Sequence, residues 1–399
     1  MHRRRLIALA ALLLGLSGAA LLAFGTTRIA EDGPMRIQTG RVEATDRARA
    51  SRARPARVAT PVPEARVAKA VRTLIARMSP AERVAQLFLV GFEGSTTSAG
   101  FFAELGSRGW GGVLLRAENA PTPDLVPLLA GQAAAAARDA GRVAPLVAPV
   151  GLPGFEPPAQ AARPRPSAVR AAARAAAERQ RAAGLTLILA PDADVGTHGI
   201  DDEQGTFGDD AKRVARRVQA AVEGWRAGGV VSAVGTFPGE GTVTADPLEG
   251  PANVALDAET LMTRDLLPFA AVARRAPAIV VSSAAFLAYD SVTPASIVPG
   301  VVQGVLREDL GFKGVAITDD LAGITAATSG SVGQAAVAAL KAGIDLVQVP
   351  AAGDRDKAYR AVRAALKSGD LPKARAREAL ERVLEMKRAA GLLQAADAG

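Results

Sequence analysis

Cysteine is absent from this chain of 399 residues. Disulfides and thiolate metal sites are therefore excluded, as is a bacterial lipoprotein anchor, whose lipid sits on a cysteine; the redox compartment cannot be read from thiols. Histidine is nearly absent too, with His2 and His198 the only two, so a histidine-rich metal centre has no material. No acidic cluster has metal-ligand spacing and no glycine-rich phosphate loop occurs. Neither a metal nor a cofactor is expected. Aromatic residues make up 4% of the chain, and Trp110 and Trp225 both sit at element boundaries in apolar surroundings, where packing is the expected role rather than sugar stacking.

A one-sided charge is present, but not where a nucleic-acid binder would carry it. The formal net charge is +8, yet residues 1–66 hold 12 arginines, no lysine and 5 acids, whereas the remainder has 36 basic and 35 acidic residues. A nearly neutral body lacks the electrostatic footprint for DNA or RNA, and an Arg-rich tail reads as a solvated linker beside anionic lipid. The leader also bears on compartment. Arg3, Arg4 and Arg5 precede an uncharged run from Leu6 to Phe24, whose residues at ~1.5 Å each nearly span a hydrocarbon core of ~30 Å. Positive charge stays inside, which predicts a single-pass cell-membrane protein with an extracytoplasmic body. A cleaved signal peptide and secretion form the alternative, although the run exceeds the usual apolar stretch of ~7 to 15 residues. The domain reading is a signal anchor or signal peptide over 1–25, an Arg/Pro/Ala-rich linker over 26–66 and a folded body over 67–395.

What the body does contain is apolar residues, 49% of the chain, with 40 glycines and 25 prolines for turns. Val67, Val71, Leu74, Ile75 and Met78 recur at helical spacing before Ser79-Pro80 caps a new helix. Short runs suited to buried parallel strands then alternate with Ala-rich helical stretches. The strand candidates are Leu87 to Val90, Gly112 to Leu115, Pro145 to Val150, Leu185 to Ala190, Val230 to Val234, Ala278 to Ser282, Val315 to Thr318 and Asp345 to Val349. Eight βα units in about 330 residues favour an α/β fold closed into a (β/α)8 TIM barrel over an open doubly wound sheet. The stretch from Leu371 to Ala390 reads as an outer-ring helix.

In such a barrel reactive groups collect at the C-terminal ends of the strands. The seventh candidate strand ends in Asp319-Asp320-Leu321. One carboxylate there can attack an anomeric carbon, the retaining route of glycoside hydrolysis, while the other caps the following helix. The assignment is Asp319 at the strand end and Asp320 at the cap. Glu240, Asp246 and Glu249 share one loop after the fifth strand, and any of them could protonate a leaving oxygen if burial raised its pKa. His198 follows the fourth strand and is either a proton carrier or an exposed loop residue.

The segments Thr293-Pro294-Ala295-Ser296, Val305 to Phe312 and the strand into Asp319-Asp320-Leu321 closely resemble family 3 glycoside hydrolases, especially single-domain β-N-acetylhexosaminidases that trim peptidoglycan fragments. Further similarities lie at Met78 to Phe92, Gly112 to Leu115, Ala190 to Val195, Phe237-Pro238-Gly239 and Ala342 to Leu346, so the resemblance spans about Val67 to Leu393. It implies a barrel acting on O-glycosyl bonds of cell-wall glycan, with Asp319 at the family's nucleophile position and a peptidoglycan-derived carbohydrate as partner.

Other family signatures are altered. Where relatives carry Lys-His-Phe-Pro-Gly-His-Gly, this chain has Gly235-Thr236-Phe237-Pro238-Gly239-Glu240-Gly241. The relatives' Asp-Ser-His acid/base loop corresponds to Asp246-Pro247-Leu248, so Asp246 remains of the dyad and leucine replaces the histidine that would move the proton. Their Asp-Gln-Glu-Gly-Gly-Arg corresponds to Val150 to Phe155, and Arg-Ser-Phe-Gly to Gly205-Thr206-Phe207-Gly208. Backbone-shaping residues survive while charges are lost. Two readings follow: a retaining hydrolase, its activity impaired, in which a loop carboxylate such as Glu240 replaces the missing histidine; or a catalytically inactive barrel kept as an envelope glycan-binding or scaffold module. A carboxylate facing Asp319 favours the first, and a mouth filled by Leu152, Phe155 and Leu248 favours the second.

Overall fold

The computed structural model describes residues 69–158, 165–196 and 206–393. The expected leader and linker, and His198, lie outside these residues. No helix among the described residues is long and apolar enough to cross a membrane.

Eight parallel strands form the centre: β1 (Phe88–Val90), β2 (Gly112–Arg116), β3 (Leu146–Val150), β4 (Leu187–Ile188), β5 (Val231–Phe237), β6 (Ala278–Val281), β7 (Val315–Asp320) and β8 (Leu346–Val349). Hydrogen-bonded neighbours run β3-β2-β1-β8-β7-β6-β5-β4, all parallel. That order is the circular order of a (β/α)8 barrel opened at one seam. Thr186 nearly closes the seam: its backbone N–H donates to the Val147 carbonyl at 2.9 Å, and its hydroxyl accepts from the Val147 N–H at 2.9 Å.

All eight predicted strands are present, six of them with their two ends shifted by at most two residues in total and two differing more. The fourth is reduced to two residues, because Thr186 reaches both ways across the seam and Ala190-Pro191 has no proline N–H to continue the ladder. The fifth extends to Phe237, with a register shift between Val234 and Phe237 against β6. Beyond the eight, a three-stranded sheet of Asn253–Val254, Ala285–Phe286 and Asp290–Pro294 decorates the barrel. Its strands are too short to show a periodicity.

Alternation along the strands sends one apolar set inward and the other toward the helices. Leu89, Leu114, Leu146, Leu187, Val280, Ile317 and Leu346 fill the barrel interior; burying each contributes ~1.5–3 kcal/mol. Val383 and Met386 join them from the last helix, Lys373–Ala389, which covers the end where the strands begin. Trp110 and Trp225 are both buried, the former donating its indole N–H to Glu104 at 3.2 Å beside Phe88 and Tyr359. Ser79 caps the helix Pro80–Ala85 as expected, accepting from the Glu82 N–H. One end of the barrel is thus plugged, leaving chemistry to the other.

Candidate active site

At the open end the inward positions become polar. On β7, Val315 and Ile317 face inward, and the same alternation turns Asp319 into the mouth. Its neighbour Asp320 is the N-cap of the helix Leu321–Thr328, accepting from the Ala322 N–H at 2.8 Å. The expected helix cap at Asp320 is present, with Asp319 preceding it near the strand end. On β6 the next inward residue after Ala278 and Val280 is Ser282, and on β8 it is Gln348. The Gln348 amide oxygen is buried without a hydrogen-bond partner.

Glu240 reaches the same space from the turn after β5. Gly239 there has φ of +129°, and a Cβ on it would lie 2.7 Å from the Cβ of Asp265. A Cβ on Gly241 would lie 2.2 Å from the Val195 carbonyl oxygen. Only glycine permits both approaches, which explains why this segment keeps its glycines while its flanking charges differ. The Glu240 N–H donates to Asp194 at 2.8 Å, tying the turn to the end of β4, and the Asp194 N–H donates to Asp192 at 2.7 Å. The Ser282 hydroxyl donates to Oε1 of Glu240 and accepts from the Ala284 N–H. Glu240 Oε2 has no hydrogen-bond partner among the described residues.

These carboxylates hold protons unusually well. Burial, reinforced by the charge of Asp319, raises Glu240 from its ordinary 4.5 to about 8 against the opposing Ser282 hydrogen bond. Burial raises Asp319 to about 6, with Asp320 and Asp246 adding repulsion and the Asp320 N–H opposing it. Asp192 is likewise raised to about 6 by burial, and Asp194 is held well above the usual carboxylate range by burial and by Asp192 and Glu240. At neutral pH the arrangement therefore offers a largely ionised Asp319 beside a protonated Glu240. Two neighbouring carboxyls with pKa values pushed apart are what acid/base and nucleophilic roles require.

The other sequence candidates fall away from this pair to different degrees. Asp246 is half-buried, accepts from the Leu248 N–H at 2.8 Å, and acts on Asp319 and Glu240 through its charge. Glu249 is exposed and Leu248 is 45% exposed, so leucine does not plug the mouth. Leu152 and Phe155 pack with the cluster that contains the helices, not with the barrel interior. Sequence reasoning did not single out Asp192, Asp194 or Ser282 as site residues. The signal was available, since all three follow apolar strands as Asp319 does. Among the described residues no three His, Cys, Asp or Glu side chains are grouped to hold a metal ion.

A (β/α)8 barrel with paired carboxyls at the C-terminal ends of its strands is an architecture suited to glycoside hydrolysis. Residues 139–386 match the model of the glycosyl hydrolase family 3 N-terminal domain, and the chain belongs to that family. A β-hexosaminidase of Stenotrophomonas maltophilia is 35% identical over 172 residues, which are 42% of this chain and 50% of the relative. The chain spans about half the length of the curated relatives it matches. Among solved structures, a β-N-acetylhexosaminidase from Beutenbergia cavernae is 29% identical with a TM-score of 0.71, covering 78% of this chain and 99% of that one. A family 3 β-N-acetylglucosaminidase from Paenibacillus is 27% identical with a TM-score of 0.72, covering 79% of this chain and 63% of the other.

Proposed function

We propose that this chain is a retaining β-N-acetylhexosaminidase-type glycoside hydrolase acting on cell-wall glycan, in which Asp319 is the nucleophile and Glu240 the acid/base. The observation that carries this reading is the placing of Asp319 at the mouth end of β7 and of Glu240 on the turn after β5, buried, bonded to Ser282 and raised in pKa by burial and by the charge of Asp319. Names of the relatives, which are hexosaminidases and N-acetylglucosaminidases, support the substrate class.

In the first step a carboxylate oxygen of Asp319 bonds to the anomeric carbon as the glycosidic C–O bond breaks. The departing oxygen takes the proton of Glu240. Glu240, now ionised, then removes a proton from water, whose oxygen attacks the same carbon and releases Asp319. Ser282 holds Oε1 of Glu240, so Oε2 is the oxygen that exchanges the proton. Asp246 raises the proton affinity of both carboxyls through its charge. The lost histidine and sugar-facing charges imply slower turnover than a dyad-bearing relative achieves. Nothing among the described residues favours the inactive binding-module alternative, and Leu248, 45% exposed, does not fill the mouth.

The test is hydrolysis of an aryl β-N-acetylglucosaminide by the full-length protein beside its Asp319→Ala variant. Turnover abolished by the substitution is expected. An activated aryl group needs little protonation on leaving, so no turnover by the unsubstituted protein would rule out this activity for this sugar.

A further inference from the structure

At the end opposite the carboxylates, a cavity of about 780 Å³ lies between the last helix and the starts of β5 and β7. Volumes of ~300–1,000 Å³ are those of small-molecule sites. Its floor is the lower end of the barrel interior: Val231, Val315, Met386 and Ala390 line it and belong to the interior apolar cluster.

The rim is charged, and its charges are not balanced. Glu378, Glu381 and Glu385 each have an arginine partner, Arg375 and Arg382, Arg377 and Arg388 respectively. The cations are differently placed. Arg226 and Lys313 are exposed and have neither an ion pair nor a side-chain hydrogen bond among the described residues. Arg181 donates to the neutral Gly229 carbonyl, and Arg275 lies 4.0 Å from Glu223, which also pairs with Arg170. Arg226, Lys313 and Arg181 thus stand without carboxylate partners on one part of the rim, whose glutamates are each already paired. Guanidinium groups match phosphate oxygens in fork geometry, whereas the hollow offers nothing to a polar tail.

We infer that this cavity binds an anionic amphiphile, a single apolar chain ending in a phosphate, with the chain along Ala389 and Ala390 and the phosphate at Arg226 and Lys313. The site is separate from the carboxylate mouth and does not depend on the reaction proposed there.

Photolabelling tests it. Full-length protein in zwitterionic nanodiscs is irradiated with a dodecyl phosphate carrying a terminal diazirine, and the labelled peptides are mapped by mass spectrometry. Label on residues 222–231 and 382–391, displaced by excess dodecyl phosphate but not by equal inorganic phosphate, is expected. The double variant Arg226→Glu/Lys313→Glu should lower that labelling by about tenfold, the loss of one or two charge-assisted contacts. Ala389→Trp, which fills the hollow without touching the cations, should lower it as well; unchanged melting temperatures would establish that both variants fold. Equal labelling by the neutral dodecyl alcohol analogue would mean an apolar groove only, and displacement by inorganic phosphate would mean an anion site only. Either result, or label spread elsewhere, overturns the inference.

Discussion

Two ends of one barrel bury carboxylates and treat them oppositely. At the mouth, Glu240 and Asp319 are pushed up to about 8 and about 6, and the groups facing them are other carboxyls, a serine and backbone. At the floor, Asp345 is 0% exposed and burial alone would raise it too, yet Arg307, Arg382 and Arg375 outweigh burial and hold it at about 2. The Ala316 N–H adds a hydrogen bond at 3.0 Å. Burial is therefore common to both ends, and the sign is decided by neighbours. Asp345 is held ionised by its arginines and ties β7, β8 and the last helix together. The mouth is left unsatisfied, as sites that must exchange protons are.

The comparison breaks most readily at Glu240. Glu240→Gln keeps the shape and the Ser282 contact but cannot give up a proton, so hydrolysis of an oligosaccharide should fall by ~10²- to 10⁴-fold, while an activated aryl glycoside suffers far less in its first step. Equal losses on both substrates, measured as kcat/KM, would remove Glu240 from the acid role. At the floor the corresponding substitution, Asp345→Ala, should leave the buried Arg307 without its carboxylate, while Arg375 and Arg382 keep only Glu378. It should cost ~3–5 kcal/mol in denaturant unfolding, with no selective effect between the two substrates.

The smallest of the three effects sharpens the contrast through pH. Glu240 binds its proton more tightly folded than unfolded, so it contributes stability that is complete below its ordinary 4.5 and is lost as pH rises through about 8. Asp345 has the opposite sign: its contribution is present above its ordinary 3.8 and is lost as pH falls through about 2. Thermal midpoints should consequently decline from pH 5 to pH 9 in the unsubstituted protein and decline less in Glu240→Gln. Parallel profiles for the two proteins would mean that Glu240 is not held protonated.

Much of this was legible in the chain. Each apolar strand run could be marked by composition because parallel strands buried on both faces need continuous Val, Ile, Leu and Ala. Asp319 was visible because two carboxylates end an apolar run, and Asp320 because a cap precedes a helix. Asp192, Asp194 and Ser282 were harder. Asp194 and Ser282 matter through hydrogen bonds to a turn more than forty residues away, and Asp192 through its bond to Asp194, and no local pattern encodes which strand ends face each other across a closed barrel.

Sequence by itself determined that eight strands alternate with helices, that charge is concentrated in the first 66 residues, and that the glycines at 239 and 241 remain where flanking charges do not. These are matters of local composition and backbone freedom. The tertiary structure alone decided that Glu240 is buried within electrostatic reach of Asp319, that Asp246 is half-buried and acts on both while Glu249 stays in solvent, and that Asp345 lies among three arginines drawn from two helices. A carboxyl's proton affinity depends on what surrounds it within a few ångströms, and those surroundings exist only once the barrel has closed.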